Sequence, residues 1–331
     1  DQTMKVELPA MLLSVENGQP QSLAVANSKE KLLASAHTQL IVPIRRETKV
    51  IGLLHLESTS DSQVDIDFLT RLTDHAAIAI SNAQLFGEVQ RANLAKSEFV
   101  SFVAHELKNP MTSIKGYTEL LAGGAVGQIN QMQTNFLNTI KSNVERMSTL
   151  VSDLNDNAKI EAGRLRLEYK ATSAPDLVDE VVRTFKRQIE EKKQILEIIL
   201  PERISPMWAD RIRVGQVLTN LLSNAHKYTP EGGLIQVGVE EVANQWDPEG
   251  AARVIHFWVK DNGIGLTLED QQKMFQKFFR SEDPKAREAP GTGLGLNITK
   301  GLVEMQGGKI WFESEYRKGT TFHFTVPVAE E

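Results

Sequence analysis

The apolar positions change their period along the chain, and each change predicts a new element. In the first 60 or so residues they come in short runs with turn residues between them. PAMLLSVENGQPQSLAVA sets Asn17-Gly18 between two apolar runs, a hairpin signal. LIVPIRRETKVIGLLHLES reads as a second strand pair with Arg45, Arg46, Glu47 and Thr48 at its tip. From Asp65 the period becomes helical: Phe68, Leu69, Leu72, Ala76, Ala79, Ile80, Ala83 and Phe86 share a stripe. The stripe continues into SFVAHELKNPMTSIKGYTELL as Phe99, Phe102, Val103, Leu107, Ile114, Tyr117 and Leu121. Gly87 is the one helix-weakening residue between Asp65 and Phe99. The pattern predicts a single helix from about Asp65 to Leu121, able to carry rotation or tilt along its length. A helix that long needs a partner to cover its stripe.

Ala122 to Asn130, AGGAVGQIN, reads as a glycine-rich turn. After it Phe136, Ile140, Val144, Met147, Val151, Leu154 and Ala158 recur at spacings of four and three, alternating from Ile140 on, a heptad seam. Two antiparallel helices with such seams bury both poorly, whereas two copies make a four-helix bundle. The alternative is a hairpin packed on another domain of the same chain. Ala162-Gly163 closes the second helix. Beyond it, Pro175 and Asp176 start an amphipathic helix running to Lys193, QILEIIL and SPMWA are strand-like, and Asp210 to Tyr228 is helical. Leu234 to Val242, Arg253 to Lys260, Lys309 to Ser314 and Thr321 to Val328 alternate as strands. The expected fold class is multidomain α+β: an N-terminal α/β region, a long helix into a dimeric bundle, and a C-terminal α/β sandwich.

Composition narrows the possible functions. At 331 residues, 41% apolar and 24% charged, the chain suits two or three ordinary globular domains. A net charge of -6 and a pI near 5.8 argue against a nucleic-acid partner, which would show as a basic stripe. The absence of cysteine excludes disulfides and thiolate metal sites. No apolar run approaches a membrane span, and the chain begins DQTMKV without a starting Met or a signal peptide. The expectation is a cytoplasmic segment of something longer, without membrane contact of its own and compatible with a membrane sensor upstream.

The candidate chemistry starts at His105, which lies off the apolar stripe, with Glu106 beside it and Asn109 one turn later. Pro110 is expected to kink the helix there. A carboxylate that accepts a hydrogen bond from one imidazole nitrogen leaves the other free to attack, and Glu106 is placed to do so. The bland alternative is a surface histidine on a charged helix. Near the C-terminus come four motifs. NLLSNAHKYT puts Asn220 and Asn224 one turn apart, hard oxygen donors that suit Mg2+, followed by Lys227 and Tyr228. Such a pair also occurs on solvated helix faces. DNGIGL offers Asp261 to an adenine amino group, and Gly263 and Gly265 to close backbone approach. MFQKFFR reads as a short apolar helix ending in Arg280, within reach of a phosphate. GTGLGL, with Gly291, Thr292, Gly293, Leu294 and Gly295, opens a helix whose free N–H groups suit phosphate, although a lone loop of this kind is more often a plain turn. Ser281 to Pro290, SEDPKAREAP, has the polar composition of a lid.

Ala104, His105, Glu106, Leu107, Lys108, Asn109 and Pro110 resemble the phosphoacceptor pattern of sensor histidine kinases, with Met111 for the commoner leucine. The four later motifs, in this order, resemble the N, G1, F and G2 boxes of the same family's ATP-binding domain, which is of the GHKL type. The resemblance implies a homodimeric, ATP-dependent protein histidine kinase. His105 would take the γ-phosphoryl of Mg·ATP and pass it to an aspartate of a separate response regulator. It further implies Asn224 as the Mg2+ ligand, Asp261 on adenine, Glu106 as base, Arg280 and Lys227 offsetting charge, and Asn109 orienting water for dephosphorylation of the partner.

IVPIRRETKVIGLLHLES and DFLTRLTDHAAIAISNAQLF resemble the C-terminal half of a GAF sensory domain. The short link from Asn27 to Thr38 points to a truncated sensor without a bound cofactor, and no bilin thioether is possible without Cys. His37, His55 and His75 read as ordinary polar positions. The expected domains are 1–86 (sensor), 87–98 (connecting helix), 99–163 (phosphotransfer hairpin) and 164–331 (ATP-binding). Gyrase-type ATPases share the nucleotide fold but hold a glutamate base where this chain has Asn220, which cannot abstract a proton. A non-catalytic dimeric signalling scaffold or a net phosphatase is the further alternative. Whether each ATP domain serves its own His105 or its partner's depends on the handedness of the Ala122 to Asn130 turn.

Overall fold

The computed structural model describes residues 14–24, 38–59, 65–289 and 291–329. The chain divides into two compact units, Asp1–Asn93 and Leu94–Glu331. In the first, β1 (Gln21–Ala24), β2 (Thr38–Arg46) and β3 (Lys49–Ser58) form an antiparallel sheet in chain order. The strand pair read from the sequence is present: Leu40 faces Leu56, Val42 faces Leu54, and Glu47-Thr48 turns the chain with Glu47 at φ 53°. Leu40 and Val42 are buried with Leu69 of the following helix. Asn17-Gly18, in contrast, is no hairpin tip. Residues 14–17 form a helical turn, which Gly18 ends at φ 60° with its N–H on the Ser14 carbonyl. A glycine at positive φ serves a helix end as well as a hairpin, so the dipeptide alone does not choose. Most of the expected link from Asn27 to Thr38, with His37, lies outside the described residues.

Helix α1 spans Ile66–Ala122, 57 residues, and continues through Pro110. Asp65 starts it by accepting the Phe68 N–H at 3.0 Å. Its buried face corrects the stripe read from the sequence. In the first unit Leu69, Thr73, Ala77 and Ser81 turn inward, while Phe68, Leu72, Ala79, Ala83 and Phe86 are exposed.

The second unit begins with the C-terminal part of α1, which pairs antiparallel with α2 (Gln131–Glu161). The Ser101 hydroxyl donates to Asn155 at 2.8 Å, and Lys115 pairs with Glu145 at 3.2 Å. Asn130 caps α2 in a reciprocal capping box with Gln133. The residues that α1 buries are Ser97, Ala104, Met111 and Thr118, one per heptad, opposite Val144, Asn157 and Ala158. The large residues of the expected stripe face outward instead: Phe102 is 64% exposed and Phe136 of α2 is 61% exposed, and Phe99, Tyr117, Ile140 and Met147 are also open.

Beyond Gly163, which ends α2 at φ 63°, a mixed sheet forms in the order β5 (Ile195–Ile199), β7 (Leu234–Ala243), β8 (Arg253–Asp261), β10 (Gly319–Pro327), β9 (Ile310–Glu315). The β5–β7 pair is parallel and the others are antiparallel. Alternate residues Ile255, Phe257 and Val259 of β8 enter a core shared with α3 (Ala174–Glu191), α4 (Arg211–Tyr228) and α7 (Gly295–Met305). This is one sheet covered by a helical layer. A small pair, β4 (Lys170–Thr172) with β6 (Met207–Ala209), closes one side, and β4 carried too few residues to read from the sequence. MFQKFFR is not helical: α5 (Leu268–Lys273) precedes it, and it turns with Phe278 at φ 61°. Among the described residues, the polar stretch after Arg280 holds one short helix, α6 (Pro284–Glu288). Among the described residues no helix is long and apolar enough to cross a membrane.

Candidate active site

The second unit contains a cavity of about 540 Å³ where α4, the end of β8 and the glycine loop before α7 converge. Asp210 caps α4 by accepting the N–H groups of Ile212 and Arg213, which fixes the helix whose last two turns carry the first motif. Asn220, Asn224, Lys227 and Tyr228 all line the cavity. The Asn220 amide donates to Thr299 Oγ1 of α7 at 2.7 Å. The Asn224 side chain has no hydrogen-bond partner among the described residues, so its amide oxygen is available to a hard cation, which fits Mg2+ bound largely through phosphates and water.

Asp261 ends β8 inside the cavity and is buried. Burial pushes its carboxyl up to about 6, against hydrogen bonds from the backbone of Gly263 and Thr320 that pull the other way. Burial likewise lowers the Lys227 ammonium, offset by the Asp153 carboxylate. Gly265, at φ 61°, passes so close to the Glu315 carbonyl that any side chain would collide. Gly293, at φ 74°, is pressed against the Phe278 backbone, which explains why the apolar turn and the glycine loop occur together. Gly291, Thr292 and Gly295 line the cavity with Gly265 and Gly293. Gly263 and Leu294 do not: Gly263 packs beneath the Tyr228 carbonyl, and Leu294 is in the core. Arg280 reaches the rim and donates to the carbonyls of Arg287 (3.3 Å) and Ala289 (2.7 Å), which ties the end of the apolar turn to the lid stretch.

His105, Glu106 and Asn109 lie elsewhere, on the exposed surface of α1. The His105 Nδ1 is 3.2 Å from the Glu106 carboxylate, and its ring is 72% exposed. In the tautomer whose Nδ1–H donates to the Glu106 carboxylate, Nε2 keeps a free lone pair. Missed in the sequence were Ser142, Arg146, Thr149 and Asp153 of α2, which wall the cavity. Their spacing of four, three and four is a signal that exists only once α2 is known to face this way.

Residues 95–163 match the family model for the His Kinase A (phospho-acceptor) domain, and residues 209–330 match that for the histidine kinase-, DNA gyrase B-, and HSP90-like ATPase. The fold and cavity therefore define a nucleotide-binding domain of that ATPase class attached to a phosphoacceptor hairpin. The chain belongs to the sensor histidine kinases of two-component systems. It is 32% identical over 317 residues to the circadian input-output histidine kinase CikA of Synechococcus elongatus, covering 86% of this chain and 41% of that protein. It is 34% identical over 246 residues to the sensor histidine kinase WalK of Bacillus subtilis, covering 74% and 38%. The chain thus spans about two fifths of these relatives. The structure of full-length ShkA in complex with AMPPNP shares the fold at a TM-score of 0.59 and 23% identity, over 71% of this chain and 46% of that one.

Proposed function

We propose that this chain transfers the γ-phosphoryl group of Mg·ATP to Nε2 of His105. The observation that carries the reading is the single cavity lined by residues of all four motifs, on a chain whose hairpin presents an imidazole held at Nδ1 by Glu106. Asp261 receives the adenine amino group, and the glycine loop presents backbone N–H groups to the phosphates. Asn224 would hold Mg2+, which when bound would supply positive charge to offset that of the phosphates. The Nε2 lone pair forms the P–N bond as the bond to the β–γ bridging oxygen breaks, ADP leaves, and Glu106 stabilises the Nδ1 proton. Lys227 and Arg280 offset charge on the transferring group, so the catalysis is mainly positioning and electrostatics. The phosphoryl group then passes to an aspartate of a separate response regulator, and Asn109 orients water for the reverse signal.

The working unit in this reading is a homodimer. The outward aromatic stripe of α1 and α2 is what a second copy would cover to complete a four-helix bundle. The sheet of the first unit, with α1 leaving it, is read as a partial GAF-like sensor. Asn220 favours transfer over hydrolysis, because an amide cannot serve as the base that activates water.

Incubation with γ-labelled ATP tests the reading. Acid-labile, alkali-stable label is expected on the wild type and on neither His105→Gln nor Asn224→Ala. Steady release of phosphate without labelled protein would instead favour the gyrase-type ATPase.

A further inference from the structure

Helix α2 belongs to the phosphoacceptor hairpin, yet one face of it walls the nucleotide cavity through Ser142, Arg146, Thr149 and Asp153. Asp153 goes further and is bonded to the glycine loop itself. Its Oδ2 accepts the Thr292 hydroxyl proton at 3.0 Å, and the same hydroxyl oxygen accepts the Leu294 N–H at 3.1 Å, at the entrance to α7. The carboxylate also interacts with the Lys227 ammonium, a cation assigned above to the phosphates. Burial and the neighbouring Asp156 push the Asp153 carboxyl up, while Thr292 and Lys227 pull it down.

Two further acidic residues on α2 hold the same docking. Asp156 accepts from Arg213 at 3.2 Å and from Gln216 at 3.1 Å, and Glu161 pairs with Lys277 of the apolar turn. These contacts are lateral. Asp156 and Glu161 do not line the cavity, and Asp153 does. The pairings of Ser101 with Asn155 and Lys115 with Glu145 also set Asp153 at about the level of His105 along the hairpin.

We infer that Asp153 is a specificity-determining residue of the nucleotide site, a carboxylate supplied by the phosphoacceptor hairpin that stands at the phosphate end of the cavity and disfavours nucleotides in proportion to their charge there. The inference rests on the reading of this cavity as the ATP site. While Thr292 donates to Asp153 it is committed to the hairpin, and a phosphate arriving at the loop meets a like charge on a half-buried carboxylate. Loading with a triphosphate breaks the Asp153–Thr292 bond and loosens the ATP domain from α2. By linkage, nucleotide binding and undocking then favour one another to the same extent. A domain released in this way is free to carry its nucleotide toward an imidazole.

Calorimetric titration of the full chain with Mg·AMPPNP, Mg·ADP and adenosine tests this in the wild type, Asp153→Asn and Asp153→Ala. The asparagine keeps an acceptor for Thr292 and removes only the charge; the alanine removes both. Both variants should bind AMPPNP at least about tenfold tighter, ADP with a smaller gain, and adenosine within about twofold of the wild type. An unchanged or weaker AMPPNP affinity would overturn the proposal. So would an equal gain for adenosine, which would mean that the cleft has merely loosened. If the wild type binds none of the three, the reading of the cavity itself fails, an outcome distinct from a wild type that binds AMPPNP and variants that bind it no better.

Discussion

Oδ1 of Asn220 lies so near Gly295 that a Cβ there would stand 2.6 Å from it, and the Asn220 amide is anchored on its other side by Thr299. The first motif and the start of the glycine-loop helix are thus one packed unit. Gly295→Ala pushes this carboxamide aside. Gly295 is the first residue of α7, so alanine's interior helix preference adds little there, and the cost is the displaced, Thr299-anchored carboxamide. The expected result is a slightly lowered Tm with AMPPNP affinity reduced at least about tenfold.

Asp261 predicts a pH dependence of nucleotide binding. Its carboxyl titrates at about 6 in the fold, so above that pH it is ionised and accepts an amino proton fully. Below about 6 it holds its own proton, and affinity should fall by up to about tenfold per pH unit. Nucleotide phosphates titrate nearby, so the comparison is with Asp261→Asn, whose weaker binding should lack the component that titrates near pH 6.

On the sheet face turned away from α4, His256 joins Glu240 to His323 through hydrogen bonds of 3.0 Å each, and the His323 Nε2 is buried without a partner among the described residues. Burial, with His256 adding to it, pushes His323 down to about 4. The unfolded chain takes this proton near pH 6.5 and the folded chain only near 4. Stability from this group is therefore complete above about 6.5 and lost as the pH falls toward 4. The ring is only half-buried, so screening leaves about 1 kcal/mol, or about 2–4 °C in Tm. Melting curves from pH 7.5 to 4.5 should show that extra loss in the wild type and not in His323→Phe.

The outward stripe of the hairpin gives a test of self-association. Phe102→Glu or Phe136→Arg places a charge in the proposed dimer seam twice, once per copy. Each lost aromatic burial is worth about 1.5–3 kcal/mol. The dimer dissociation constant, followed by light scattering on a sizing column, should rise at least about 100-fold. A variant that stays dimeric would place the seam elsewhere.

Much of this was legible in the sequence for local reasons. Asp65 and the helical period locate α1, and alternation locates β7, β8, β9 and β10 to within a few residues. The inward face of α1 was not legible, because the helix carries apolar residues on more than one side, and one chain cannot tell which stripe meets its own partner helix. The large aromatics suggested burial where Ala104 and Met111 supply it. MFQKFFR looked helical by composition, but Phe278 must turn to meet Gly293, a constraint set by a loop downstream. The cavity residues inside the four motifs could be named because their chemistry is local. Asp153 could not, since its role comes from docking between elements far apart in the chain.

The most direct test of the whole account is the position of the phosphorus on the imidazole. NMR of the phosphorylated protein with 15N-labelled histidine should show a P–N bond at Nε2 of His105, with the Nδ1 proton retained toward Glu106. Phosphorus bonded to Nδ1, or found on any residue other than His105, would contradict it.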